Sequence, residues 1–120
     1  MSKKPTILIC DDEEGIRESF NLILKDKYEL VFAESGEDCL KTLKENKDIS
    51  LILMDIKMPR QNGIEITKDI KRLRPNIKVI VVTGYESAEI AQEATEAGAD
   101  AYITKPFESK EILKKINMYL

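Results

Sequence analysis

TILICDDEEGIR, residues 6–17, runs four apolar residues straight into four consecutive carboxylates and then turns helical. The apolar run at 7–10 is too short for a buried helix and suits a strand covered on both faces. Downstream, Ile16, Phe20, Ile23 and Leu24 recur at i, i+4, i+7 and i+8, the spacing of an amphipathic helix. The unit is a strand followed by a helix, with Asp11, Asp12, Glu13 and Glu14 at the join. Like charges side by side repel, and nothing within the stretch neutralises them.

The unit recurs along the chain. Residues 29–33 are a second strand candidate. Ser35 offers an N-cap, with Asp38 three residues on, for a helix carrying Leu40 and Leu43. Residues 51–54 are the third run, followed by the loop KMPRQNG at 57–63 and a helix with Ile66, Ile70 and Leu73 on one face. Pro75 and Asn76 end that helix. Residues 79–82 lead to an Ala-rich helix over 86–97 with Gly98 as its C-cap. Residues 101–104 meet Lys105-Pro106, and the last helix carries Ile112, Leu113, Ile116 and Leu120. This is (βα) five times over. Continuous apolar strands predict a doubly wound α/β domain, a parallel sheet between two helical layers with right-handed crossovers.

Composition narrows the function. The 120 residues fit one domain, 42% apolar and 34% charged, which is neither disordered nor membrane-like. No apolar run is long enough to span a bilayer, and no signal peptide precedes the first strand, so a cytoplasmic protein is expected. A net charge of −3 argues against non-specific nucleic-acid binding. Cys10 and Cys39 stand in unrelated contexts and are expected as two reduced, buried thiols. The chain has no histidine, which excludes Ser-His-Asp and Cys-His catalysis and argues against a zinc site.

The ends of the runs carry the chemistry. The first ends at Asp11-Asp12, the third at Asp55, the fourth at Thr83 and the fifth at Thr104-Lys105. Parallel strands all point one way, so these residues gather at the carboxyl edge, where open α/β sheets keep their sites. Two carboxylates ~4 Å apart repel by about 4 kcal/mol at an effective dielectric near 20. Either one takes a proton or a cation sits between them. Acidic oxygens beside a lysine and a hydroxyl suit Mg²⁺ and a phosphate, the parts of a phosphoryl-transfer site in which a carboxylate is the nucleophile.

Four stretches, ILICDDEEGIR, LILMDIKMPRQNGIE, VIVVTGYES and EAGADAYITKPF, together resemble a response-regulator receiver domain of two-component signalling, over essentially the whole chain and in order. The resemblance implies one receiver domain over residues 1–120 with a chemotaxis-regulator-like, flavodoxin-like sheet of strand order 2-1-3-4-5. It implies Asp55 as phosphoacceptor, Asp12 as a direct Mg²⁺ ligand (Mn²⁺ being the alternative ion), Asp11 holding the ion through water, and the backbone carbonyl of Lys57 completing the protein ligands. Thr83 would donate its hydroxyl to the phosphoryl group, and Lys105, ahead of a cis Pro106, would ion-pair with the acids and then the phosphate. Gly84 fits the small residue beside that group, Tyr102 matches the switch aromatic, and Pro59 and Gly63 match the loop after the acceptor strand. Lys57 and Tyr85 would border the hydrolytic water. The implied partners are a sensor histidine kinase or histidine phosphotransfer protein as donor and an effector or output domain as target. Phosphorylation would change the surface of the fourth helix, fifth strand and fifth helix, or drive homodimerisation. Such a domain is a signalling switch rather than a turnover enzyme.

Other readings are weaker. Glu13 and Glu14 are expected as structural acids at a helix N-terminus, worth about 0.3–1 kcal/mol each. Lys68, Lys71, Arg72 and Arg74 are expected as a solvated face. An aspartyl-phosphate hydrolase needs a second acid two residues after its nucleophile, where Lys57 stands. A flavodoxin-like electron carrier needs a phosphate-wrapping first loop, where DDEE would repel one. An inert receiver-like scaffold would not keep Asp11, Asp12, Asp55, Thr83 and Lys105 together. The remaining alternative is the receiver part of a longer transcriptional regulator cut at Leu120.

Overall fold

The computed structural model describes residues 4–58, 61–84 and 87–120. Pro59, expected in the loop after the acceptor strand, Tyr85, expected beside the hydrolytic water, and Glu86, expected to open the fourth helix, lie outside them. The strands are β1 (Thr6–Cys10), β2 (Glu29–Ala33), β3 (Ile49–Asp55), β4 (Lys78–Thr83) and β5 (Ala101–Thr104). The helices are α1 (Glu14–Leu24), α2 (Gly36–Glu45), α3 (Gly63–Leu73), α4 (Ala88–Glu96) and α5 (Ser109–Tyr119). Two further two-residue segments, Lys57–Met58 and Gln61–Asn62, pair antiparallel outside the main sheet.

All five strands are parallel, in the order β2-β1-β3-β4-β5. This is the expected doubly wound, flavodoxin-like architecture. Side chains alternate across each strand, and both faces are covered. Leu8, Cys10, Ile52, Met54, Val79 and Val81 pack with Cys39 and Leu43 of α2, Ile66 and Ile70 of α3 and Ala94 of α4. Ile7, Ile9, Leu51, Leu53, Ile80 and Val82 pack with Phe20 and Leu24 of α1 and Ile112 and Ile116 of α5. Burial on both sides is why the strands read as unbroken apolar runs.

Local signals place the helices. Ser35 Oγ accepts the Asp38 N–H at 3.0 Å and caps α2; Asn62 and Ser87 cap α3 and α4 in the same way. Gly98 closes α4 with φ +107°, a conformation that favours glycine.

Two expectations are corrected. Leu73 and Leu120, placed on apolar helix faces by periodicity, are 47% and 48% exposed, because each lies at or beyond the last turn of its helix, where the core has ended. Lys71 and Arg74 are not a solvated face. Lys71 Nζ donates to the Ile77 carbonyl at 2.6 Å and pairs with Asp100 at 2.9 Å, while the Arg74 guanidinium donates to the carbonyls of Leu43, Asn46, Lys47 and Ile49. Cys10 and Cys39 are free and buried as expected, yet they are neighbours, and the hydrogen bond between them, with burial, pushes the Cys10 thiol far up.

Candidate functional site

The sheet order decides where the acids go. After β1 the chain turns to one side to make β2, then crosses to the other to make β3. The carboxyl ends of β1 and β3 are adjacent at that reversal, with Cys10 opposite Met54. Asp11 follows Cys10 and Asp55 follows Met54, so the two carboxylates are neighbours by register. Asp12 joins them: one oxygen from each of Asp11, Asp12 and Asp55 lies within 4.8 Å of the others. Asp11 and Asp55 are buried, at 1% and 3% exposure, while Asp12 reaches solvent.

Asp11 and Asp55 are held from outside the cluster. The Asp11 N–H donates to the Ala33 carbonyl, its Oδ1 accepts the Glu13 N–H at 2.9 Å, and its carbonyl accepts from Arg17 Nη1 at 2.8 Å. Gly63 sits against the Asp55 backbone so closely that a Cβ there would overlap the Asp55 carbonyl oxygen and come 2.7 Å from Ile56 Cα. That contact fixes where β3 ends, and the Gly63 N–H donates to the Ile56 carbonyl at 2.8 Å.

Lys105 arrives from the next strands. Its N–H donates to the Thr83 carbonyl at 2.7 Å, and the Lys105–Pro106 peptide is cis, as expected. The Phe107 ring stacks on Phe20 of α1 with centroids 4.8 Å apart, fastening the loop to the helix. The ammonium then lies 3.3 Å from Asp11 Oδ2 and 3.5 Å from Asp55 Oδ1. Thr83, fully buried, registers with Thr104. Tyr102 is half-buried on β5 and packs toward the core under α2, α3 and α4.

One ammonium does not neutralise three acids. Burial, and then the Asp11 charge, push Asp55 up to about 6, against the pull of Lys105 and the Lys57 N–H. Burial also raises Asp11, opposed by the Glu13 N–H and Lys105. The cluster is thus under net repulsion at neutral pH, and its oxygen-only donor set fits a hard divalent cation. A cavity of about 340 Å³ opens over Asp55, lined by Glu13, Lys57, Gly84 and Lys105. Gly84 has open space where a side chain would be.

Every expected site residue within the described stretches gathers at this edge except Tyr102, which stands two residues before the end of β5. Sequence reasoning missed three contributors. Glu13, expected as a structural acid, lines the cavity. Arg17 clamps Asp11, and its place one turn past the acids was a usable signal. Gly63 was marked as part of a loop, but its packing on Asp55 was not legible.

The model of the response regulator receiver domain family matches residues 7–117. The chain is 40% identical over 116 residues to sporulation initiation phosphotransferase F of Bacillus subtilis, covering 95% of this chain and 92% of that one. Its fold superimposes on chemotaxis protein CheY4 of Vibrio cholerae with a TM-score of 0.93 at 26% identity, over 98% of this chain and 100% of the other. Response regulator TrrA of Thermotoga maritima, solved in complex with Mg²⁺–BeF, is similar with a TM-score of 0.88 and 34% identity, over 98% of this chain and 100% of that one.

Proposed function

The chain belongs to the response regulator receiver domain family of two-component signalling, and from that premise we propose that it is a phosphorylation switch in which Asp55 is the phosphoacceptor. The observation that carries this reading is the placing of Asp55. Its carboxylate is buried at the floor of an open cavity, beside two further acids and 3.5 Å from an ammonium.

Asp11, Asp12 and Asp55, with the Lys57 carbonyl, would hold Mg²⁺ or Mn²⁺; three acidic oxygens within 4.8 Å fit such an ion. When bound, it neutralises charge so that an anionic carboxylate can approach an anionic phosphate. The chain's own residues do the rest. An Asp55 carboxylate oxygen attacks phosphorus, the bond from phosphorus to the donor's leaving atom breaks, and that atom keeps the electron pair. Lys105 pairs with the phosphoryl oxygens, Thr83 donates its hydroxyl to one of them, and Gly84 leaves room for the group.

The donor group lies outside residues 1–120, which have no histidine to carry a phosphoryl group. A phosphohistidine on a sensor kinase or phosphotransfer protein fits. The name of the Bacillus subtilis relative, a phosphotransferase, favours relay of the group as one use. The added charge of about −1.5 to −2 draws Thr83 inward, Tyr102 follows, and the face made by α4, β5 and α5 changes for an effector, an output domain or a second copy. The domain over residues 1–120 works in the cytoplasm and turns over no external product. No helix among the described residues is long and apolar enough to cross a membrane.

The test is incubation with acetyl phosphate and Mg²⁺ followed by intact mass. One phosphoryl group is expected, lost without Mg²⁺ and lost in Asp55→Asn. Labelling that survives Asp55→Asn overturns the assignment.

A further inference from the structure

Glu13 occupies the N-cap position of α1 but makes no side-chain cap bond to the helix. Asp11 Oδ1 takes its N–H instead, and the residue lines the cavity over Asp55. Two exposed charged residues line that cavity among the described ones, Glu13 and Lys57. Asp55 and Lys105 lie deeper, at 4% and 17% side-chain exposure.

In-line transfer gives these two residues a part. The nucleophile attacks from the buried floor, so the leaving group departs on the far side of phosphorus, toward the mouth. A donor's leaving group therefore passes the Glu13 carboxylate and the Lys57 ammonium. Leaving groups differ in charge. With a protonated N-phosphoryl donor, the leaving group carries its proton on the leaving nitrogen of a phosphoramidate or on the far ring nitrogen of a phosphoimidazole; the P–N bond breaks, the bonded nitrogen keeps the electron pair, and a neutral amine or imidazole departs. The leaving group is cationic on entry and partly so at the loose transition state. With an acyl phosphate, the P–O bond breaks and a carboxylate anion departs, gaining negative charge at the same place.

We propose that Glu13 is a specificity-determining residue of the transfer reaction: its carboxylate at the cavity mouth favours donors with a cationic, protonated nitrogen leaving group and disfavours acyl phosphates, while Lys57 has the opposite preference. This rests on the reading of Asp55 as acceptor and deepens it, since phosphohistidine is the protein donor of the nitrogen class. The device acts by fixed charge near solvent, so it is modest and salt-sensitive.

The test compares phosphoramidate with acetyl phosphate at saturating Mg²⁺, by intact mass, in wild type, Glu13→Gln and Lys57→Met. The readout is the ratio of the two second-order rate constants. Glu13→Gln is expected to lower the phosphoramidate-to-acetyl-phosphate ratio roughly threefold to tenfold, the size of one charge acting across several ångströms near water. Lys57→Met is expected to raise it, and both effects should shrink at about 0.5 M salt, where the screening length is a few ångströms. An exposed glutamine is not expected to move the thermal unfolding midpoint. A ratio unchanged in Glu13→Gln, even with both rates lowered together, overturns the proposal and leaves the acceptor reading standing. Failure of both donors to label Asp55 in the wild type overturns both.

Discussion

Replacing Asp55 by asparagine should stabilise the metal-free protein while abolishing its phosphorylation. The size follows from the site. Asp55 is 3% exposed and pushed up to about 6 by burial and by Asp11, against about 3.9 in an unfolded chain. That difference places a penalty of about 3 kcal/mol on the ionised folded form. Lys105 loses one partner in the variant but keeps Asp11 at 3.3 Å, and asparagine still accepts the Lys57 N–H, so a net gain of about 1–3 kcal/mol is expected at pH 8. The sign follows from proton binding. Between about pH 4 and 6 the folded wild type holds a proton on Asp55 that the unfolded chain has released, so wild-type stability falls as pH rises through that window. Below it the carboxyl is neutral in both states and the gap to the variant closes. The assay is urea unfolding followed by circular dichroism, in EDTA, at pH 4.5 and pH 8. A variant no more stable than wild type at pH 8 would refute the reasoning, as would a gap of equal size at both pH values. Adding Mg²⁺ at pH 8 should close the gap from the other side, since a ligand of the folded state stabilises the wild type by mass action.

Three other outcomes are expected. Gly63→Ala has no room against the Asp55 carbonyl or Ile56 Cα; it should cost about 2–4 kcal/mol in urea unfolding and slow labelling of Asp55 by shifting the end of β3. Arg74→Met leaves the carbonyls of Leu43, Asn46, Lys47 and Ile49 without their guanidinium; a loss of about 2–3 kcal/mol is expected, with faster amide exchange at the end of α2 and labelling of Asp55 retained. Asp12→Ala should remove the Mg²⁺-dependent rise in thermal midpoint and prevent phosphorylation, with metal-free stability equal or higher because repulsion at Asp11 and Asp55 is relieved; a variant still stabilised by Mg²⁺ would place the ion elsewhere.

The fold was legible because its signals are local and repeated. β2 and β5 begin and end where the sequence placed them, and Ser35 caps α2 as its spacing with Asp38 foretold. The joining of Asp11 to Asp55 was legible too, since parallel strands with polar ends leave those ends nowhere else to go. What escaped depends on contacts between distant segments. Nothing local separates Lys71 and Arg74, which bond backbone carbonyls of other segments, from Lys68 and Arg72, which make exposed pairs one turn along α3. Cys10 and Cys39 became neighbours only when α2 settled on β1. Glu13 read as a helix acid because acids at helix starts are favoured wherever they point.

The two edges of the sheet differ in how their charges are balanced. At the amino edge, polar groups answer one another. Asp100 accepts from both Lys71 and the Val79 N–H at 2.9 Å, and Lys71 also reaches Ile77, tying α3 to both ends of the turn into β4 and to the turn before β5. Arg74 binds the end of α2 to the start of β3. A Cβ at Gly98 would press to 2.9 Å from Lys71 Cγ, so even the close of α4 is fitted to that lysine. At the carboxyl edge the balance is reversed: three acids cluster, the Lys105 ammonium pairs with two of them, Asp11 and Asp55, and burial raises Asp55 further. Such a cluster is tolerable only in a domain whose stability is supplied elsewhere, by strands buried on both faces and by the bonded amino edge. Stabilising substitutions at the carboxyl edge should therefore tend to silence the domain, whereas those at the amino edge should leave its chemistry intact.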